Sequence, residues 1–233
     1  MTVTEIAALV SGAFRAAYPA IVEGFERASG HTVATTFGGS VGDAPTSIPS
    51  RLRAGEPFDL VIVNAETLDT LIAEGHVRAG SRVDVARSFV GVVVREGAAT
   101  PDLGSAASFR RAVEDTPSIA LSNSATGQYL LGLFDGWGIG DAMRAKRVQG
   151  EASPVASVAA GDAALAFGPV SELITQPGVT YAGRLPAEIE HVTIFSAGTP
   201  ALARNLDAAH ALLTYLTSAE AAGPIEASGM ARA

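Results

Sequence analysis

From Ile6 onward the chain alternates short apolar runs with stretches whose apolar residues recur three and four apart, and this alternation limits the folds open to it. Ile6 to Val10 reads as a buried strand. Ile21, Val22 and Phe25 then mark a helical stripe closed by Gly30, at the position where the left-handed backbone of a helix end favours glycine. "HTVATTF" alternates as a strand, "TSIPSRLRAG" starts on Ser47 and Pro49 and stops at Gly55, "FDLVIV" is a near-continuous apolar strand, and "ETLDTLIAEGH" is the next helix. Pro19 predicts a kink or a pair of short helices, because a proline deep in a helix removes a hydrogen bond and clashes with the preceding turn. Such an order predicts a parallel sheet with helices on its faces. After the strand "RSFVGVVVRE" the pattern restarts, with a helix near Ser108 to Glu114, a strand "SIALS", a helix from Ala125, a short strand "KRVQG", a helix "PVASVAAG" and a strand "AALAFG". "HVTIFSAGT" leads into one long helical region through "NLDAAHALLTYLTSAEAAGPIEASG", in which Leu206, Ala209, Leu213 and Leu216 recur at helical spacing.

The 233 residues suffice for one large domain or two lobes of ordinary size. A net charge of −8, with no Lys/Arg cluster interleaved with aromatics, argues against nucleic acid and anionic lipid as partners. Having no cysteine, the chain has no disulfide, thiolate nucleophile or zinc–thiolate site. No window reaches the run of about 18 to 20 apolar residues that a membrane span needs. The first basic residue is Arg15 and the early apolar run is short, which does not fit a secretory leader. The expectation is a cytoplasmic protein, or a periplasmic or other extracytoplasmic one if a leader has been removed.

Three turns of one character punctuate the pattern: "VSGAF" at Val10 to Phe14, "FGGSVG" at Phe37 to Gly42 and "LSNSATGQY" at Leu121 to Tyr129. Each follows a strand. Open α/β sheets bind ligands at the carboxyl ends of their strands, and helices starting there offer unpaired N–H groups and a partial positive charge. Ser11 and Gly12 would let an anionic oxygen approach the first helix. Taken singly, each turn is equally an ordinary helix cap; their recurrence at strand ends favours binding a small anion.

The order "SGAFRAAYPAIVEGFERASGHTV", "FGGSVGDAPTSIPSRLRAGEPFDLVIV", "GSRVDVARSFVGVVVREGA", "SIALSNSATGQYL", "AFGPVSELI", "VTIFSAGT" resembles the type II periplasmic-binding-protein fold. It is most similar to the molybdate-binding-like solute receptors, a group with aconitate isomerase-like members. The resemblance implies an α/β chain in two lobes, each a mostly parallel sheet flanked by helices, with ligand in the cleft between them. Residues 1–88 and 195–233 would form one lobe and 89–194 the other. The crossings would fall near Ser88 to Val92 and Ile194 to Gly198. The first lobe would present Ser11, Gly12, Ala13, Gly39 and Ser40, with Arg51 as charged anchor; the second would present Ser124, Ala125, Thr126, Gly127, Gly168 and Ser171. Molybdate receptors carry a tyrosine where this chain has "FGPVSE", which favours planar di- or tricarboxylates over tetrahedral oxyanions. An Arg51 fork suits a carboxylate.

Two functions fit these features. One is a cofactor-independent isomerase of an unsaturated polycarboxylate, which needs a base for an acidified C–H and donors for the enolate-like charge; Tyr129 and Glu172 lie beside the turns and are the candidate bases, although each also reads as a helix-face residue. The other is a solute receptor for molybdate or a similar anion, partnered by the membrane subunits of an ABC-type importer. His31, His76, His191 and His210 show no ligand spacing, so no metal is expected, and no G-x-G-x-x-G or phosphate loop calls for a nucleotide cofactor. "GGSVG" lacks the spacing of a G-x-S-x-G nucleophile turn. Trp137 reads as core, and Glu23, Glu26 and Arg27 as a solvated helix face.

Overall fold

Asp59 shows how the chain ties distant segments together. Its buried carboxylate accepts hydrogen bonds from the backbone N–H groups of Ala7 (3.0 Å), Arg204 (2.8 Å) and Asn205 (2.9 Å), and from Asn205 Nδ2 (3.1 Å). Burial alone would push this carboxyl up, but the bonds from Asn205, Ala7 and Arg204 outweigh it and hold the group below the ordinary aspartate range. Residues around 7, 59 and 204 therefore belong to one packed body. The computed structural model describes residues 3–122, 125–148 and 153–233. The chain divides into two compact units, residues 1–88 with 193–233 and residues 89–192.

The elements run β1 (Glu5–Ser11), α1 (Tyr18–Ser29), β2 (Thr32–Gly38), α2 (Ile48–Arg53), β3 (Leu60–Asn64), α3 (Ala65–Ala73), β4 (Val83–Arg95), α4 (Ala106–Asp115), β5 (Ile119–Ala120), α5 (Ala125–Gly136), α6 (Gly140–Lys146), α7 (Pro154–Ala160), β6 (Leu165–Pro169), α8 (Val170–Leu173), β7 (Val179–Arg184), β8 (Val192–Gly198), α9 (Leu206–Leu216), α10 (Ala222–Ala227) and β9 (Ala231–Arg232).

In the first unit β1 lies between β2 and β3, parallel to both, while β8 pairs antiparallel with β3 and β9 with the early part of β4. The period of two sorts side chains between two cores. Ile6, Ala8 and Val10 of β1 and Leu60 and Ile62 of β3 pack with α1 and α9, whereas Leu9, Val61 and Val63 pack with α2 and α3. Each fully buried aliphatic side chain contributes roughly 1.5–3 kcal/mol. In the second unit β4 carries β6 on one side and β7 on the other, both antiparallel, and β5 pairs parallel with β6. Val92 and Phe167 face the core that holds Phe109 and Phe134, and Val93 and Ala166 face the core at α7.

The sheets are thus mixed rather than mostly parallel, because β4 and β8, within which the chain passes between units, run against their neighbours. Hydrophobic runs reveal a strand but not its direction. Pro19 causes no kink: it stands in the first turn of α1, where its missing N–H has no helical partner, and a separate 3-10 turn at Gly12–Phe14 precedes it. "KRVQG" is not a strand; α6 runs to Lys146, and Arg147 makes only an isolated bridge to Ile119, while Gln149 and Gly150 lie outside the described residues. The long C-terminal helix is two. Thr217 turns its hydroxyl back onto the Thr214 carbonyl (3.0 Å), and Arg232 Nη2 takes the Thr217 carbonyl (2.8 Å), ending α9. Leu206 at its start is exposed, unlike Ala209, Leu213 and Leu216. Strand β7, unforeseen in the sequence, is half-buried and contains Gly183 at φ 141°. Glu26 is more than a solvated residue, for its Oε1 accepts the Val33 N–H at 2.8 Å, whereas Glu23 and Arg27 form an exposed pair. Trp137 packs edge-on to Phe109, as a core residue should.

Candidate functional site

Ser11 ends β1 and caps the 3-10 turn after it, its Oγ accepting the Ala13 N–H at 3.3 Å. The same hydroxyl lies 2.7 Å from Ser40 Oγ, so the structure brings the first two turns together through a hydroxyl pair. Strand register produces this meeting, since Ser11 stands opposite Gly38 on β2 and Ser40 follows two residues on. Gly38 must be glycine, for a Cβ there would press on the Thr46 carbonyl oxygen at 2.9 Å. Gly12 has no such reason: a Cβ would meet nothing within 4 Å, and its φ is not positive. Ala13 is buried, Gly39 is exposed, and the Gly39 carbonyl accepts the Ile48 N–H that opens α2.

Arg51 does not serve as the free anchor expected of it. Its guanidinium grips Glu56 through Nε (3.0 and 2.9 Å) and Nη2 (2.5 Å) and lies over the Phe58 ring. Two residues missed in sequence stand closer to the turns. Arg15, directly after the 3-10 turn, places its guanidinium 4.3 Å from the centre of the Phe37 ring at the end of β2. Asn64 ends β3, and its Oδ1 is buried without a hydrogen-bond partner.

In the second unit Ala125 opens α5, Thr126 is buried and Ser124 lies outside the described residues. Gly127 is required by packing, since a Cβ would run into the Ser122 carbonyl oxygen. Arg147, misassigned to a strand in sequence, donates from Nη2 to the Leu121 carbonyl at 2.9 Å, which sets a cation at the turn after β5. Tyr129 is ill suited as a base: its hydroxyl donates to the Ile189 carbonyl at 2.7 Å, its ring stacks on His191 at 4.4 Å, and burial pushes its phenol up, favouring the protonated form. Gly168 touches Leu173, with a Cβ landing 3.2 Å from its side chain. Ser171 is buried and its Oγ meets no partner. Glu172 beside it is an exposed residue, yet burial of its carboxyl pushes it above the ordinary glutamate range.

A groove in this unit runs past Arg95, Thr100, Asp115, Thr116, Ser118 and Gly161, at the amino ends of β5 and β6. It contains none of the sequence-predicted residues. Among the described residues no three His, Asp or Glu side chains are placed to hold a metal, and no helix is long and apolar enough to cross a membrane.

Residues 6–231 match the family described as bacterial extracellular solute-binding protein. The chain belongs to that family. The chain is 36% identical over 230 residues to a protein named aconitate isomerase from a Pseudomonas species, covering 98% of this chain and 88% of that protein. Among solved structures, the periplasmic molybdate-binding protein of Azotobacter vinelandii superposes with a TM-score of 0.75 at 19% identity, over 97% of this chain and 98% of that one. The sulfate-binding protein SubI of Mycobacterium tuberculosis does so with 0.71 at 17% identity, over 97% and 86%. These structural likenesses give a mixed α/β fold of the periplasmic-binding-protein kind.

Proposed function

We propose that the chain is a cofactor-independent isomerase of an unsaturated di- or tricarboxylate such as aconitate. The observation that carries this reading is the 36% identity to an aconitate isomerase along nearly the whole chain. The Ser11–Ser40 pair and the open space beside the Gly12 Cα support it, because hydroxyls suit carboxylate oxygens and the space lets one approach. Arg15 supplies positive charge beside the first turn, where Arg51 is engaged by Glu56. In the second unit, Ala125, Thr126, Gly127, Gly168 and Ser171 are the candidate ligand contacts, with Ser124 lying outside the described residues.

The chemistry is an allylic proton shift. A base takes a proton from the methylene carbon beside a carboxylate, and the electron pair spreads through the double bond onto carboxylate oxygens. Reprotonation at the far end of the allylic system moves the double bond, with no net oxidation. Donors aimed at the developing charge lower the barrier. Glu172 is the base: a carboxyl pushed upward takes a proton more readily near neutral pH. Purified protein should convert trans-aconitate to cis-aconitate without added cofactor, and Glu172→Gln should lower kcat by about 10²–10⁴-fold with affinity kept. Full activity in that variant would remove Glu172 from the role.

The family's name favours a second reading, a receptor that delivers a small anion such as molybdate to the membrane subunits of an importer. Tight binding without turnover would select it. The isomerase reading goes with a cytoplasmic protein and the receptor reading with an exported one, which fractionation of cells expressing the native gene separates.

A further inference from the structure

Asn64 stands at the cap position of α3 but does not cap it: no backbone N–H of that helix bonds its side chain. Asparagine at this position ordinarily accepts from the second or third residue of the helix. Here Oδ1 is buried and without any partner. Buried acceptors are nearly always satisfied in folded proteins, so an orphan calls for a specific explanation. Its place in the sheet supplies one. β1 and β3 are parallel with Val10 opposite Ile62, and two residues further along both strands come Gly12 and Asn64. On the other side of β1, Ser11 stands opposite Gly38, and Ser40 is hydrogen-bonded to Ser11. The carboxyl ends of three adjacent strands thus present, in sheet order, Ser40, the Ser11–Gly12 turn and Asn64.

We propose that Asn64 is a ligand-contacting, specificity-determining residue, its Oδ1 accepting a hydrogen bond from a ligand oxygen that carries hydrogen. This assignment rests on the polycarboxylate reading above. The neighbouring groups supply donors for bare carboxylate oxygens; Asn64 adds an acceptor, which an oxyanion lacking hydrogen cannot satisfy. Among the polycarboxylates it binds, the site therefore prefers one that also bears a hydroxyl or a carboxyl that keeps its proton, as the least acidic carboxyl of aconitate can.

Citrate and propane-1,2,3-tricarboxylate differ by one hydroxyl and serve as the probes. By calorimetry the unaltered chain should bind citrate at least tenfold more tightly. Asn64→Ala should bring the two affinities within threefold of each other, mainly through loss of citrate binding. Asn64→Asp has an oxygen at either end of the group and should keep the preference while its charge weakens both acids. Thermal melts check folding; if the alanine variant does not fold, the aspartate variant carries the test, and loss of the preference there overturns the proposal. Equal binding of both acids by the unaltered chain, or an unchanged ratio in Asn64→Ala, also overturns it. Either result leaves the isomerase reading intact if aconitate is still converted. Failure to bind any of citrate, propane-1,2,3-tricarboxylate and aconitate removes the polycarboxylate reading and this assignment with it.

Discussion

The small-residue turns of the two units look alike in sequence and differ in what holds them. In the first unit Ser11 and Ser40 bond to each other, and Gly12 answers to no packing or backbone demand. In the second, Gly127 is fixed by the Ser122 carbonyl and Gly168 touches Leu173. A glycine in such a stretch can therefore be required by packing in one unit and have no packing reason in the other. Cβ environment separates the two cases, and residue type does not.

Gly127→Ala should break the second unit's turn, costing about 3 kcal/mol or more because the backbone oxygen it meets cannot step aside as a side chain can. Gly12→Ala should change stability by no more than about 0.5 kcal/mol and instead weaken ligand binding. Denaturant melts of the two variants measure the contrast, and equal destabilisation would erase it.

Asp59→Ala removes the acceptor for three backbone N–H groups and should cost about 3 kcal/mol at pH 7. The carboxyl sits below its ordinary value in the folded chain, so its contribution is present above the unfolded pKa of about 3.9 and fades as pH falls through the lower folded value. Urea melts at pH 7 and pH 3 should show the variant and the parent converging in acid. A gap unchanged by pH would contradict the assignment.

Much of this was legible beforehand. The apolar runs of β1, β3 and β6 and the helix ends at Gly30, Gly55 and Gly161 follow from periodicity and from the left-handed backbone that glycine adopts, each of these three having positive φ. Ser11 and Ser40 were readable as strand-end hydroxyls. Strand direction was not, since β4 and β8 carry the same valine-rich signal whether they run with or against a neighbour. Asn64 carried no signal in the sequence, and only its orphaned oxygen marks it out. Arg147 follows a helix too short to stand out from "KRVQG" as a strand. Arg51 showed its carboxylate affinity in sequence, but Glu56, five residues on, takes its fork.

For ligand binding, the hydroxyl pair gives the next contrast. Ser40→Ala should weaken binding of the best polycarboxylate by about 1–3 kcal/mol and leave the melting temperature nearly unchanged, because Ser11 keeps its bond to the Ala13 N–H. Unaltered affinity in calorimetry would return Ser11 and Ser40 to plain capping and make the two units alike again.

Isomerisation in heavy water tests the central claim most directly. Purified protein, incubated with trans-aconitate in deuterium oxide without added cofactor, should yield cis-aconitate with deuterium at the allylic methylene carbon, because the abstracted proton exchanges with solvent on the base before return. Recovery of unlabelled, unconverted trans-aconitate after hours with a protein that binds it tightly would contradict the isomerase account and leave a receptor.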